Sequence, residues 1–125
     1  SSEACEPMAP VEPSFKPPYY AVIFSNQRTE VDAGYGDMAA RMVALAAPQP
    51  GYLGVDCVRN TEGSGITVSY WRTLDDIAAW RRNTEHAEAR NAGRAQWYRD
   101  FKVRIAKVER EYGWHVDAGP ADPAA

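Results

Sequence analysis

The chain has 125 residues, of which 45% are hydrophobic and 25% are charged, a composition that fits one globular domain with flexible ends. Its formal net charge of −3 provides no overall attraction to nucleic acid or to an acidic membrane. No apolar run is long enough to span a bilayer, and the N-terminus lacks the pattern of a signal peptide. We therefore expect a protein that binds neither nucleic acid nor membrane.

The sequence contains two cysteines, Cys5 near the N-terminus and Cys57 in a predicted strand. A disulfide between them would have to tie a mobile tail to the folded core. We therefore expect reduced thiols, and with them a cytoplasmic location. No group of Cys, His and Asp residues has the spacing of metal ligands, so no metal site is predicted.

Both ends of the chain are poor in large apolar side chains. Residues 1–18 contain five prolines and can bury little surface, which predicts an extended or disordered, passive tail. Residues 115–125 predict a flexible C-terminal tail. The folded domain is therefore expected over residues 19–114.

Hydrophobic periodicity predicts regular elements between these tails. In chain order they are a strand over 19–25, a helix over 32–47, a strand over 52–59, a turn over 60–65, a strand over 66–71, a short helix from Leu74, a helix over 84–98 and a last strand from Phe101 towards Tyr112. Pro48 and Pro50 end the first helix, and Asn83 or Thr84 can cap the third.

The order β-α-β-β-α-β predicts an α+β fold of the ferredoxin-like type, an antiparallel sheet with helices on one face. The first strand is apolar on both faces, because Val22 and Phe24 point one way while Ala21 and Ile23 point the other. Helices cover only one face, so the second face needs another cover. We expect a homodimer that packs sheet against sheet, with the C-terminal strand reaching towards the partner.

The predicted helix over 84–98 carries unusual side chains on one stripe. At about 100° per residue, His86, Arg90, Arg94 and Trp97 fall on the same side. Basic and aromatic groups facing a sheet indicate a cavity that receives a planar, anionic molecule. A structural interpretation stays open, since arginine stems can lie on apolar surface and His86 can help to start the helix.

Several segments resemble the antibiotic biosynthesis monooxygenase superfamily, whose members are dimeric α/β-barrel proteins. The matching segments are 50–54, 66–71, Ala79 with Trp80, and Glu85 with His86 and the following Ala89. The resemblance spans about residues 19–112 and implies the same fold. It leaves the function open, because the family includes quinone-forming oxygenases, haem-degrading enzymes and proteins of unknown role.

In the haem-degrading branch of this family, the site consists of an asparagine on the first strand, a tryptophan ending the third and a histidine on the following helix. Asn26 and Trp71 occupy positions similar to the first two. The position of the family histidine falls on Arg90, which is a poor iron ligand because its guanidinium stays protonated. His86 lies one turn earlier and could face the same space.

The first functional hypothesis is a cofactor-independent monooxygenase that oxidises a phenol-like or hydroquinone-like aromatic molecule with oxygen. Asn26, Trp71 and His86 are the predicted catalytic residues, with His86 as acid or base and Asn26 orienting the reacting group. The predicted substrate-binding residues are Phe24, Arg90, Arg94 and Trp97. Two alternatives stay open: a haem-binding or haem-degrading enzyme with His86 as axial ligand, and a non-catalytic binding or stress-response protein.

Overall fold

The computed structural model describes residues 11–83, 86–88, 91, 96–116 and 119–120. Its elements are β1 (Tyr19–Arg28), α1 (Tyr35–Ala46), β2 (Tyr52–Arg59), β3 (Ser64–Trp71), α2 (Leu74–Arg82), β4 (Tyr98–Val108), β5 (Trp114–His115) and β6 (Gly119–Pro120). The main sheet has the order β2-β3-β1-β4, and all its neighbouring strands are antiparallel. The predicted α+β, ferredoxin-like arrangement is confirmed.

The first half of the domain follows the sequence pattern with shifted boundaries. β2 has the predicted bounds, but β1 continues past residue 25 to Arg28 because it stays paired with β4 as far as Tyr98. α1 begins at Tyr35 rather than at residue 32. Gly34 precedes it with φ of 80°, a left-handed conformation that interrupts the helical backbone and suits glycine. β3 begins at Ser64, inside the predicted turn.

The second half departs further from the prediction. The side chain of Thr73 accepts a hydrogen bond from the Asp76 amide and caps α2. Asn83 caps the next helical segment, as predicted, by accepting a bond of 3.1 Å from the His86 amide. Residues 86–88 and 91 are helical, whereas Tyr98, predicted as the end of this helix, is the first residue of β4. Residues 84, 85, 89, 90 and 92–95 lie outside the described part.

The last strand ends at Val108, before the predicted limit at Tyr112. Beyond it, β5 pairs with β6 in a small antiparallel ladder, Trp114 opposite Pro120. The sequence predicted a flexible tail from residue 115 onwards, because two-residue strands are too short to show an alternating pattern.

The N-terminal segment 11–18 is extended but not passive. The Phe15 ring meets the rings of Tyr19 and Tyr70 with centroid separations of 5.5 and 5.7 Å, on the sheet face opposite the helices. The Glu12 amide donates to Asp56, and the Glu12 carboxylate accepts from the Val55 amide at 3.0 Å. Segment 11–18 therefore covers part of the face that the sequence analysis left for a partner subunit.

Cys57 is disulfide-bonded, so the prediction of reduced thiols is wrong for this residue. The prediction assumed a detached tail, whereas Glu12 holds the N-terminal segment against β2, the edge strand that carries Cys57. The other cysteine of the sequence, Cys5, lies outside the described residues. Across the described ranges, no helix has the length and apolar character needed to cross a membrane.

Candidate functional site

A cavity of about 260 Å³ lies between the sheet and the helices. Its wall is largely aromatic and aliphatic. The aromatic members are Phe24, Tyr35, Tyr52, Trp71, Trp80, Trp97, Tyr98 and Phe101, and the polar members are Thr67, Ser69, Arg81 and His86. Apolar walls with a few polar groups are typical of sites for small organic molecules.

Trp71 ends β3 and forms the most deeply buried part of this wall. Its side chain has no exposed surface, and its indole N–H donates to the Ser69 hydroxyl at 2.9 Å. The Tyr52 ring meets it edge-on at 5.4 Å, and Trp80 of α2 stacks against it at 6.1 Å. Tyr52 of the neighbouring strand β2 therefore holds the Trp71 ring on one side, and Trp80 of α2 holds it on the other.

His86 brings an imidazole to the same cavity. Its ring lies 4.4 Å from that of Trp80 at an interplanar angle of 33°. Because Asn83 holds the His86 amide, the start of this helical segment positions the ring against α2. Imidazole is the side chain whose ordinary pKa lies closest to neutral pH, which makes His86 the candidate for proton transfer in this wall.

Trp97 closes the cavity next to the start of α1. It is 5% exposed, its indole N–H donates to the Ala33 carbonyl at 3.0 Å, and its ring meets Tyr35 edge-on at 5.9 Å. The backbone of Trp97 also accepts a bond from the Thr29 amide at 3.0 Å. These contacts tie the loop after β1 to the residues that lead into β4.

Asn26 is not part of the cavity wall but belongs to an adjoining polar group. It is 7% exposed, and its side-chain oxygen accepts a bond of 2.8 Å from Arg59. The same guanidinium nitrogen donates to the Tyr35 hydroxyl at 3.1 Å, and Tyr98 donates to that hydroxyl at 3.4 Å. Tyr35 and Tyr98 line the cavity, so they connect Asn26 to it.

Four of the seven predicted site residues therefore line one cavity: Phe24, Trp71, His86 and Trp97. Asn26 lies beside it. Arg90 and Arg94 lie outside the described residues. Within the described part of the chain, no group of three or more His, Cys, Asp or Glu residues could hold a metal ion.

Sequence reasoning did not assign a site role to Arg28, Tyr35, Arg59 or Tyr98. Tyr35 and Tyr98 share apolar patterns with core residues, and the arginines end their strands, where charged residues are common. Burial, together with the hydrogen bond to Tyr35, raises the pKa of Tyr98 well above its usual value, so its hydroxyl stays protonated and acts as a donor. One signal was present: Gly65 follows Arg59 closely in the sequence and leaves space for its side chain.

The family model described as antibiotic biosynthesis monooxygenase matches residues 18–92. The chain is 57% identical over 96 residues to the uncharacterized protein YqjZ of Bacillus subtilis, with 77% of this chain and 84% of that protein covered. The fold is similar to that of SnoaB, a cofactor-independent oxygenase from Streptomyces nogalater, at 15% identity, a TM-score of 0.66, and coverage of 76% and 97% of the two chains. Rv0793 from Mycobacterium tuberculosis is similar at 14% identity, a TM-score of 0.66, and coverage of 74% and 97%.

Proposed function

Since the chain belongs to the antibiotic biosynthesis monooxygenase family, we propose that it is a cofactor-independent monooxygenase acting on a small phenol-like or hydroquinone-like aromatic molecule. The observation that carries this proposal is the aromatic cavity of about 260 Å³ with the His86 imidazole in its wall. A volume slightly below the range of drug-sized pockets suits a compound of one or two rings.

The reaction needs no external reductant. A phenol with a free para position and one O₂ give a para-quinone and one water: the ring carbon loses its hydrogen, one oxygen atom becomes the new carbonyl, and the other leaves as water. The substrate supplies all the electrons. Ionising the phenol makes the ring electron-rich enough to meet oxygen directly, so the protein has to hold and move protons and to exclude water.

Each predicted residue has a part in this proposal. His86 accepts the phenol proton and returns it later, because imidazole takes up and releases protons near neutral pH. Trp71, Trp97 and Phe24 enclose the ring and keep water out of the cavity. Asn26 orients the reacting oxygen through its side-chain amide, and Arg90 and Arg94 stabilise the developing oxyanion.

Oxygen uptake tests the proposal. We expect the purified protein to consume oxygen with members of a panel of phenols and naphthols that have a free position para to the hydroxyl, one O₂ for each substrate, without hydrogen peroxide. His86→Ala should lower the rate at least about 100-fold, the lower range for removal of a general acid–base group. His115→Ala is the matched control, since His115 is exposed on β5 and outside the cavity wall. No uptake above buffer by the folded protein, or equal loss in both variants, would contradict the proposal.

Haem does not fit the cavity as it stands, because a porphyrin is larger than the compounds that pockets of this size accept. Titrating haem into the protein and recording its Soret band tests this directly. A saturable band that is lost in His86→Ala would support the haem alternative and contradict the proposal. Saturable binding of an aromatic compound without oxygen use would instead favour a non-catalytic binding protein.

The proposed assembly is a homodimer formed through the C-terminal strand and the outer sheet face, which is the face opposite the helices. On that face Val58 is 69% and Ile66 is 45% exposed, and apolar area of this kind supports a partner surface. Light scattering at micromolar concentration should give twice the chain mass, and a monodisperse monomer would contradict the dimer. A cytoplasmic location stays a prediction, and the disulfide at Cys57 removes the thiol argument for it.

A further inference from the structure

A cluster of polar side chains adjoins the cavity at the ends of β1 and β2. We refer to Asn26, Arg28, Tyr35, Arg59 and Tyr98 as the arginine cluster. The strand register places Asn26 opposite Gly65, and Gly65 opposite Arg59, in one row across the sheet. Tyr35 and Tyr98 belong both to this cluster and to the cavity wall.

Gly65 makes room for the Arg59 side chain. A Cβ added to Gly65 would lie 2.7 Å from the central guanidinium carbon of Arg59, closer than real contacts allow. The guanidinium therefore lies flat against β3, where it donates to the Gly63 carbonyl at 2.8 Å as well as to Asn26 and Tyr35. A bulkier residue opposite Asn26 would displace this positive charge.

Arg28 supplies a second guanidinium to the same cluster. Only 8% of the residue is exposed, and its guanidinium carbon lies 3.4 Å from the centroid of the Tyr35 ring. Its terminal nitrogens donate to Asp32 at 3.0 Å and to the Val31 carbonyl at 2.8 Å. The Arg59 guanidinium carbon is 5.7 Å from the same ring centroid, so two positive groups contact one tyrosine.

Three buried donor groups of this cluster have no hydrogen-bond partner within the described residues. They are the Asn26 side-chain Nδ2, the Arg28 Nε and the Arg59 Nε. Buried polar groups in proteins are nearly always paired, so three unpaired donors in one place indicate a site that suits a ligand with acceptor atoms.

The cluster also has more positive than negative charge, which favours an anion as well. Arg28 is paired with Asp32, whose side chain is 64% exposed, but no carboxylate in the described ranges pairs with Arg59. A half-buried guanidinium without a counter-ion favours an anion, and planar oxygen anions match its fork of N–H groups. The Tyr35 hydroxyl accepts from both Arg59 and Tyr98, which leaves its own proton available for a further acceptor.

We propose that the arginine cluster binds the anionic oxygen group of an aromatic ligand, a carboxylate or an ionised phenol, while the ring of that ligand occupies the cavity. The inference deepens the proposed function and rests on it for the aromatic character of the ligand. Arg59 provides the charge, and Asn26 and Tyr35 provide N–H and O–H donors that orient the oxygen. Arg59 and Asn26 would thereby determine which aromatic compounds are accepted.

Two probes test the site and distinguish the two kinds of anion. In the carboxylate arm, calorimetry compares benzoate with benzamide, a neutral molecule of similar shape. In the phenolate arm, 4-nitrophenol is added at a pH below its own pKa, where a site that stabilises phenolate increases the visible absorbance of the ionised form. We expect at least about a tenfold preference for benzoate, or a saturable rise in phenolate absorbance, since one charge-assisted bond contributes that much.

Matched variants decide whether the arginine cluster causes the preference for benzoate or the rise in phenolate absorbance. Arg59→Gln should abolish the preference or the absorbance change, and Gly65→Ala should do the same while retaining the charge of Arg59. Arg99→Gln is the control: it removes the same charge from an exposed position on β4 whose side chain makes no hydrogen bond or ion pair with a member of the cluster. Circular dichroism of each variant shows whether the fold is kept. If Arg59→Gln does not fold, Gly65→Ala carries the test, because it displaces the guanidinium without removing a buried group.

The outcomes separate this inference from the proposed function. Binding of either probe that depends on Arg59, without oxygen uptake by any aromatic substrate, would support the anion site and overturn the oxygenase. Oxygen uptake with the same KM in the folded wild type and Arg59→Gln would support the oxygenase and overturn the anion site. Equal binding of benzoate and benzamide together with no phenolate signal, or no binding of any probe, would also overturn the anion site.

Discussion

Replacing Trp71 with alanine removes the side chain that the cavity wall and the α2 interface share. Trp71 is fully buried, stacks on Trp80 at 6.1 Å and meets Tyr52 edge-on at 5.4 Å. Buried aromatic-to-alanine changes cost about 3–5 kcal/mol. Loss of the bond to Ser69 and of two ring pairs places the expected cost near the upper end of that range, about 5 kcal/mol.

A loss of that size approaches the whole stability of a small domain, so Trp71→Phe is the working variant. Phenylalanine keeps a ring in the wall but loses the indole N–H and part of the contact area, for which we expect about 1–2 kcal/mol. Urea unfolding followed by circular dichroism measures both variants. Trp114→Phe is the matched control, because Trp114 is 68% exposed and should change the free energy of unfolding by less than about 0.5 kcal/mol. Equal effects at Trp71 and Trp114 would refute the packing described for the wall.

Three further predictions concern stability. Burial and the hydrogen bond to Glu111 raise the pKa of Tyr19 to about 12. Because Tyr19 ionises at a lower pH in the unfolded chain, the free energy of unfolding should fall as the pH rises above about 10. Glu111→Gln should weaken this dependence in thermal unfolding measured across pH, and an unchanged profile would contradict the prediction. Thr73→Ala should cost about 1 kcal/mol in urea unfolding through loss of the α2 cap, whereas no change would show that the Asp76 amide has another partner. Phe15→Ala should cost about 2 kcal/mol and speed proteolysis of segment 11–18, and unaltered cleavage would argue against its packing on the sheet.

The order of the elements could be predicted because the alternation in β1 and β2 and the helical spacing in α1 are local patterns. Proline residues ended α1 as expected, and Asn83 capped the next helical segment. Boundaries shifted where tertiary pairing outweighs local preference. The spacing of the residues before Tyr98 predicts that it ends a helix, but Tyr98 pairs with Arg28 on β1 and is therefore the first residue of β4.

The candidate site could be predicted only in part. The aromatic members stand out in the sequence because tryptophan is rare, and Trp71 and Trp97 do line the cavity. Asn26 and Arg59 are 33 positions apart in the sequence and lie on either side of Gly65 in the sheet. Only the sheet register reveals their contact. The disulfide at Cys57 was missed because the packing of the N-terminal segment on β2 has no local signature.

A crystal structure of the protein with 4-hydroxybenzoate would test most directly whether this cavity receives an aromatic anion. We predict that the ring lies between Phe24 and Trp71 and that one oxygen group of the ligand contacts the Arg59 guanidinium and the Asn26 amide. A ligand bound only on the outer sheet face, or side chains that fill the space between sheet and helices, would contradict the assignment.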